Sequence, residues 1–170
     1  MVRWSPSWLI RNSKGKQKGM SQVFIGYDTY GIEGVDESFI HFIFDMTLAH
    51  AAGGQNSEVG LVITSDEQIR SLNHRYRNKD KATNVLSFAN DEIKDFVSAD
   101  GKADKNYLGD IYISYPTLMR EAHDLHETSR ERFAQLFVHG VLHLLGFDHE
   151  DPADAGVMEQ LEDKIVTSII

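Results

Sequence analysis

Glu58-Val59-Gly60-Leu61-Val62-Ile63-Thr64-Ser65-Asp66-Glu67-Gln68 sets a strand directly against the start of a helix. The first seven residues run apolar without alternation, the mark of a strand buried on both faces. Ser65 through Gln68 then reads as a capping box, with Ser65 accepting from the helix and Gln68 reaching back. The helix it opens runs to about Tyr76, with Ile69, Leu72 and Tyr76 facing inward.

The same alternation continues in both directions. Upstream, Val23–Tyr27 reads as a strand, and Asp36 caps a helix through about Ala52. Downstream, Asn84–Phe88 is a short strand, 89–106 a polar, acidic loop, and Leu108–Tyr115 a strand. Pro116 suits the first turn of the next helix. Thr128-Ser129-Arg130-Glu131 is a second capping box, opening a helix to about Leu145 that Gly146 stops. Asp151-Pro152 starts a last helix, with Val157, Met158, Leu161, Ile165 and Ile169 inside. No repeat or linker divides the chain. The expected architecture is one α+β domain, a small mixed four-stranded sheet packed with about five helices.

Composition narrows the functions available. The 170 residues carry a net charge of −9 and no cysteine. Disulfides, thiolate zinc fingers, iron–sulfur clusters and cysteine nucleophiles are excluded, and the usage fits a reducing, cytoplasmic setting. No apolar run approaches the roughly 18–20 residues of a membrane span. Residues 1–19 hold Arg3, Arg11, Lys14, Lys16 and Lys18 and no acid, leaving 12 cations against 26 acids, or −14, for residues 20–170. The basic segment reads as an extension to a domain at 20–170. An organellar presequence and a functional basic tail are its alternatives, and it lacks the apolar core of a secretory signal. The acidic body argues against broad, non-specific duplex binding.

The segment that carries chemistry is His139-Gly140-Val141-Leu142-His143-Leu144-Leu145-Gly146-Phe147-Asp148-His149. His139 and His143, four apart, project from one face of a helix, at the edge of the apolar arc of Phe133, Leu136, Phe137, Gly140, Val141 and Leu144. Two imidazoles at this spacing can hold one metal ion. Gly146 can turn the chain back and bring His149 to the same point as a third ligand. Three nitrogens with one open position describe catalytic rather than structural zinc. Histidine ligands also suit nickel, cobalt, copper and iron. His41, His50 and His74 are scattered, and His123 with His126 lacks a third partner. The spacing matches the zinc-protease pattern H-E-x-x-H-x-x-G-x-x-H, except that Gly140 replaces the glutamate that would be the general base. That loss points away from peptides and toward a better leaving group, such as a phosphodiester.

With these residues in view, the sequence resembles the YbeY family of bacterial and organellar metallo-endoribonucleases. His139 through His149 matches its H-G-x-L-H-L-x-G-x-D-H signature. Leu72–Arg77 with Lys79–Phe88, and Leu108-Gly109-Asp110-Ile111, match two further blocks. Ala82 departs from the proline usual before Thr83. The resemblance spans about residues 20–170. It implies a single-strand-specific endoribonuclease with one Zn²⁺ per chain on His139, His143 and His149. The activity implied is maturation of the 16S rRNA 3′ end and ribosome quality control. A ribosomal protein of the small-subunit platform and an assembly GTPase are the implied partners, and no membrane is. Arg77 corresponds to the family's arginine beside the site.

The residues themselves are compatible with this. Arg70, Arg75, Arg77, Lys79 and Lys81, with the single acid Asp80 between them, form the main basic patch of the acidic body. Cations at a helix C-terminus also favour the helix dipole, which is a structural reason for the same pattern. Arg77, with Arg75 and Lys79, is expected to bind the substrate's phosphates, since a guanidinium grips a phosphate bidentately. Arg77, Asp110 and Asp148 are the candidate catalytic residues. Either aspartate is expected to move a proton near the metal or to orient a histidine. Two other readings compete: a zinc metallohydrolase or peptidase of unknown substrate, and a ribosome-associated binding module with weak catalysis.

Overall fold

The computed structural model describes residues 21–54, 56–90, 106–147 and 151–170. The elements alternate as β1 (Gln22–Tyr27), α1 (Glu37–His50), β2 (Glu58–Thr64), α2 (Asp66–Arg77), β3 (Val85–Ala89), β4 (Tyr107–Ser114), α3 (Tyr115–Leu125), α4 (Ser129–Leu144) and α5 (Pro152–Ile169). The four strands form one sheet in the order β1-β2-β4-β3. β1 and β4 both run parallel to β2, and β3 closes the far edge antiparallel to β4. Among the described residues the expected mixed four-stranded sheet and five helices are present.

The β2 stretch is buried at all seven positions because helices cover both faces of the sheet. On one face Val59, Leu61, Ile63, Ile111 and Ile113 meet α1, α4 and α5 in the main core. On the other, Val62, Phe88 and Tyr112 meet Ile69 of α2 in a smaller cluster. Phe133 stacks on Phe137 at 5.7 Å between ring centroids, and Phe44 lies 6.5 Å from Phe137.

The caps act where the sequence places them. Asp36 accepts from the Phe39 amide at 2.8 Å, and Thr128 and Glu131 close both halves of their box. Ser65 accepts from the Gln68 amide, and this half of its box is the one that forms. Pro116 sits in the first turn of α3, which Ser114 caps.

Two inward assignments are corrected. Tyr76 is 36% exposed, its ring lying edge-on to Phe88 at 5.1 Å, while Asn73 takes the buried position beside Ile69. Asn73 turns inward because its amide donates to the Lys81 carbonyl at 2.8 Å and ties down the loop after α2. Val157 is 58% exposed, since Met158, Ile165 and the half-buried Leu161 already fill the contact of α5 with the core. Most of the expected loop at 89–106, the extension at 1–19, and Asp148 with His149 lie outside the described residues.

Candidate metal centre

α4 is wrapped by other elements on most of its circumference. Phe133, Ala134, Leu136, Phe137, Val138, Gly140, Val141 and Leu142 are all buried. Arg132, Gln135, His139 and His143 form one half-exposed stripe, so the two histidines stand at the edge of the core, as their helical positions predict.

The two imidazoles converge. Their Nε2 atoms are 3.0 Å apart, with ring planes at 82°. On the far side of each ring, Nδ1 meets an oxygen. His139 Nδ1 is 3.1 Å from Glu162 Oε2 on α5, and His143 Nδ1 is 3.1 Å from the Phe147 carbonyl. Both oxygens accept, so both Nδ1 atoms carry the proton. In neutral rings the two Nε2 lone pairs then face one another, and a shared cation relieves that repulsion. Two nitrogens held tetrahedrally by one Zn²⁺ at about 2.0–2.1 Å would be about 3.3 Å apart, close to the spacing seen. The donor set therefore fits a metal. Carboxylate and carbonyl partners on Nδ1 are also the usual means of orienting histidine ligands. Among the described residues no group of three ligating side chains occurs, and His149 lies beyond them.

The local sequence explains the Phe147 contact. Leu145 caps α4, and Gly146 follows with φ +92°. The Gly146 amide donates to His143 O at 3.0 Å and the Phe147 amide to Leu142 O at 3.1 Å, the two bonds of a Schellman turn. That turn brings the Phe147 carbonyl to the His143 ring.

Gly140, beside His139, has a packing reason. A Cβ there would lie 2.9 Å from Ile111 Cγ2 and 3.1 Å from Ser87 Oγ. β3 and β4 occupy the space that the glutamate of the protease pattern would need. Ser87 Oγ also donates to the Gly140 carbonyl at 3.2 Å.

Arg77 reaches the same strand. Its Nη2 donates to the Ser87 carbonyl at 3.2 Å, and its guanidinium lies 5.5 Å from the Phe88 ring centroid. Ser87 thus ties both Arg77 and the histidine-bearing turn of α4 to β3. Arg75 and Lys79 are exposed at the same end of α2, where Asn78 stops the helix at φ +55°. Arg70 is bound to Asp80 through two bonds of 2.7 and 2.9 Å, which neutralises that part of the basic patch.

Asp110 lies on the sheet face opposite the one that α4 covers with His139 and His143. It is 2% exposed and accepts from Tyr107 Oη at 2.5 Å. It pairs in register with Phe88 and Gly60, on the α2 side of the sheet, whereas its neighbour Ile111 meets Gly140 on the α4 side. The two-residue period of the strand makes this unavoidable. Burial, with Asp110 nearby, pushes the Tyr112 phenol upward, which places the carboxylate on that face again. Glu162 was missed in the sequence. Its signal is faint: it lies four residues after Met158 and three before Ile165, a carboxylate on the inward stripe of α5.

A family profile described as Endoribonuclease YbeY matches residues 32–170. The chain belongs to the YbeY endoribonuclease family. Similar proteins named Endoribonuclease YbeY include one from Rhizobium etli, 46% identical over 66% of this chain and 63% of that one. Another, from Acinetobacter baumannii, is 41% identical over 75% of this chain and 79% of that one. The match to the Rhizobium etli YbeY protein thus spans less than two thirds of its length. In fold the chain is similar to a Thermotoga maritima protein solved in solution, with a TM-score of 0.55 and 21% identity. That likeness covers 88% of this chain and 89% of the other. No described helix is long and apolar enough to cross a membrane.

Proposed function

We propose that this YbeY-family chain is a zinc-dependent, single-strand-specific endoribonuclease acting in 16S rRNA 3′-end maturation and ribosome quality control. The supporting observation is the convergence of His139 and His143 through Nε2, with both Nδ1 atoms held by oxygen acceptors. His139, His143 and His149 would hold one zinc per chain. When bound, the ion lowers the pKa of its water to about 7 and polarises a phosphoryl oxygen. Glu162 and the Phe147 carbonyl fix the tautomer and tilt of the two rings. Arg77 positions the scissile phosphate, and Arg75 and Lys79 hold its neighbours. Asp148, one residue before His149, is the proton carrier in this reading. Asp110 belongs to the buried support of the sheet. With Gly140 packed against Ile111, no glutamate base can stand where a protease keeps one, which favours a phosphodiester over a peptide. RNA would be presented by a small-subunit protein and an assembly GTPase in the cytoplasm, which reconciles the acidic body with an RNA substrate.

The test measures metal content and single-stranded RNA cleavage on one preparation, wild type beside His143→Ala. About one zinc and cleavage in wild type, both lost in the variant, is the expected result. Cleavage that survives loss of the metal points to a contaminating nuclease and favours the binding-module reading. Wild type without affinity for zinc overturns the proposal. End-group analysis then identifies the nucleophile, since a cyclic phosphate product excludes direct attack by water.

A further inference from the structure

A cavity of about 350 Å³ opens beside His139, between α4, α5 and the start of β3. Val85, Leu136 and Val166 supply apolar walls. Its one guanidinium is already engaged. Arg132 donates through Nε and Nη2 to Glu121 Oε2 at 3.0 and 2.8 Å, and through Nη1 to Gln135 Oε1 at 2.6 Å. Glu121 also takes the Asn84 amide at 3.2 Å. Glu162, also on the wall, is turned to His139. Asp163 stands exposed at the rim and accepts no hydrogen bond from the described residues.

These walls describe the occupant. A phosphate would find no unengaged cation and would meet the Asp163 carboxylate. A purely apolar group would leave the Asp163 carboxylate without a donor, the Asn84 and Gln135 amides being already engaged. A planar heterocycle with apolar faces and N–H donors on its edge satisfies both. An unstacked nucleobase has that form, and the volume lies in the range of small-ligand pockets.

We propose that this cavity receives one nucleobase of the single strand, next to the bond being cut. The ring lies against Val85, Leu136 and Val166, and its exocyclic amine donates to Asp163. This rests on the nuclease reading above and adds a base preference to it. Guanine, adenine and cytosine carry such an amine, whereas uracil offers only its ring N3–H between two carbonyls that face a carboxylate unfavourably, so uridine is disfavoured at that position.

The test has a binding arm and a cleavage arm. In the first, the zinc-loaded full chain is titrated with guanosine, cytidine, uridine and inorganic phosphate while the methyl resonances of Val85, Leu136 and Val166 are followed. Guanosine and cytidine are expected to shift them, uridine to bind about tenfold more weakly, and phosphate to leave them unmoved. Asp163→Ala, which removes the acceptor, should erase the difference between cytidine and uridine with metal content unchanged. In the second arm, uridine or an abasic ribose replaces the nucleotide on either side of the mapped cut. One of the two sides should lose about tenfold in kcat/KM in wild type. Methyls unmoved by every nucleoside, methyls moved by phosphate, or an amine preference that survives Asp163→Ala would each overturn the assignment. If nucleosides bind with the expected preference but no RNA is cut, the cavity stands as a base site and the nuclease reading fails.

Discussion

At the scale of single residues, the site turns on which nitrogen of each histidine carries a proton. Glu162 and the Phe147 carbonyl settle that by accepting from Nδ1. Glu162→Ala should therefore weaken zinc affinity about 10- to 100-fold in a chelator competition, with Glu162→Gln losing less because its amide oxygen still accepts. Helical content should be unchanged in both. Arg77 sits outside this pair but on the same strand contact. Arg77→Glu is expected to cut kcat/KM for RNA by about 10²-fold or more while zinc content and ribosome co-sedimentation persist. Loss of co-sedimentation as well would assign Arg77 to docking rather than to the cut phosphate.

At the scale of elements, α4 and its turn are built around two glycines with opposite demands. Gly140 is small because Ile111 and Ser87 press on it. Alanine there gains about 1 kcal/mol of helix propensity but costs about 1–3 kcal/mol of overpacking, so Gly140→Ala should lower the thermal midpoint. Gly146 has open space around it but a φ of +92° that side chains rarely adopt. Gly146→Ala should cost about 1–2 kcal/mol and should weaken metal binding too, because the turn carries the Phe147 carbonyl. A second junction joins α2 to α3. Asp66 accepts from Ser114, from Thr117 at 2.7 Å and from Arg120 at 2.8 Å. Burial opposes its ionisation, but these three donors together outweigh it and hold the carboxyl below its usual 3.8. A depressed carboxyl stabilises the fold above the unfolded value and loses that contribution as pH falls through the folded one. Asp66→Asn should thus be destabilised by about 1–2 kcal/mol at pH 7, and the deficit should shrink below about pH 3.8. A deficit independent of pH would deny the charge any role.

At the scale of the whole molecule, the metal would join parts that the chain keeps apart. His139 and His143 belong to α4, Glu162 reaches in from α5, and Ser87 on β3 links α4 to Arg77 at the end of α2. Zinc at about 100 times its Kd adds about 2.7 kcal/mol to stability. Chelation should accordingly lower the thermal midpoint by about 5–10 °C. Amide exchange should rise in α5 as well as α4, and a change confined to α4 would argue against the Glu162 link. The exposed cations Arg75 and Lys79 lie at one end of α2 in a body that is otherwise strongly acidic. RNA binding should therefore be weak without a partner and fall only shallowly with salt, because few cations meet phosphates.

The sequence alone determined what local rules govern. The apolar run of β2, the caps at Asp36, Ser65 and Thr128, and the stop at Gly146 are short-range signals, and each lies in the fold where it was read. The spacing of His139 and His143 is likewise fixed by the helical repeat. Tertiary structure decided what depends on contacts distant in sequence. Asp110 is close in sequence to residues of the α4 face, but strand alternation turns it to the other side. Tyr76 yields its inward place to Asn73, because the loop after α2 needs a buried amide. Glu162 becomes part of the site only because α5 packs back on α4 across 23 residues. Gly140 reads as a missing base in the sequence, and only the approach of Ile111 shows that no larger residue fits there.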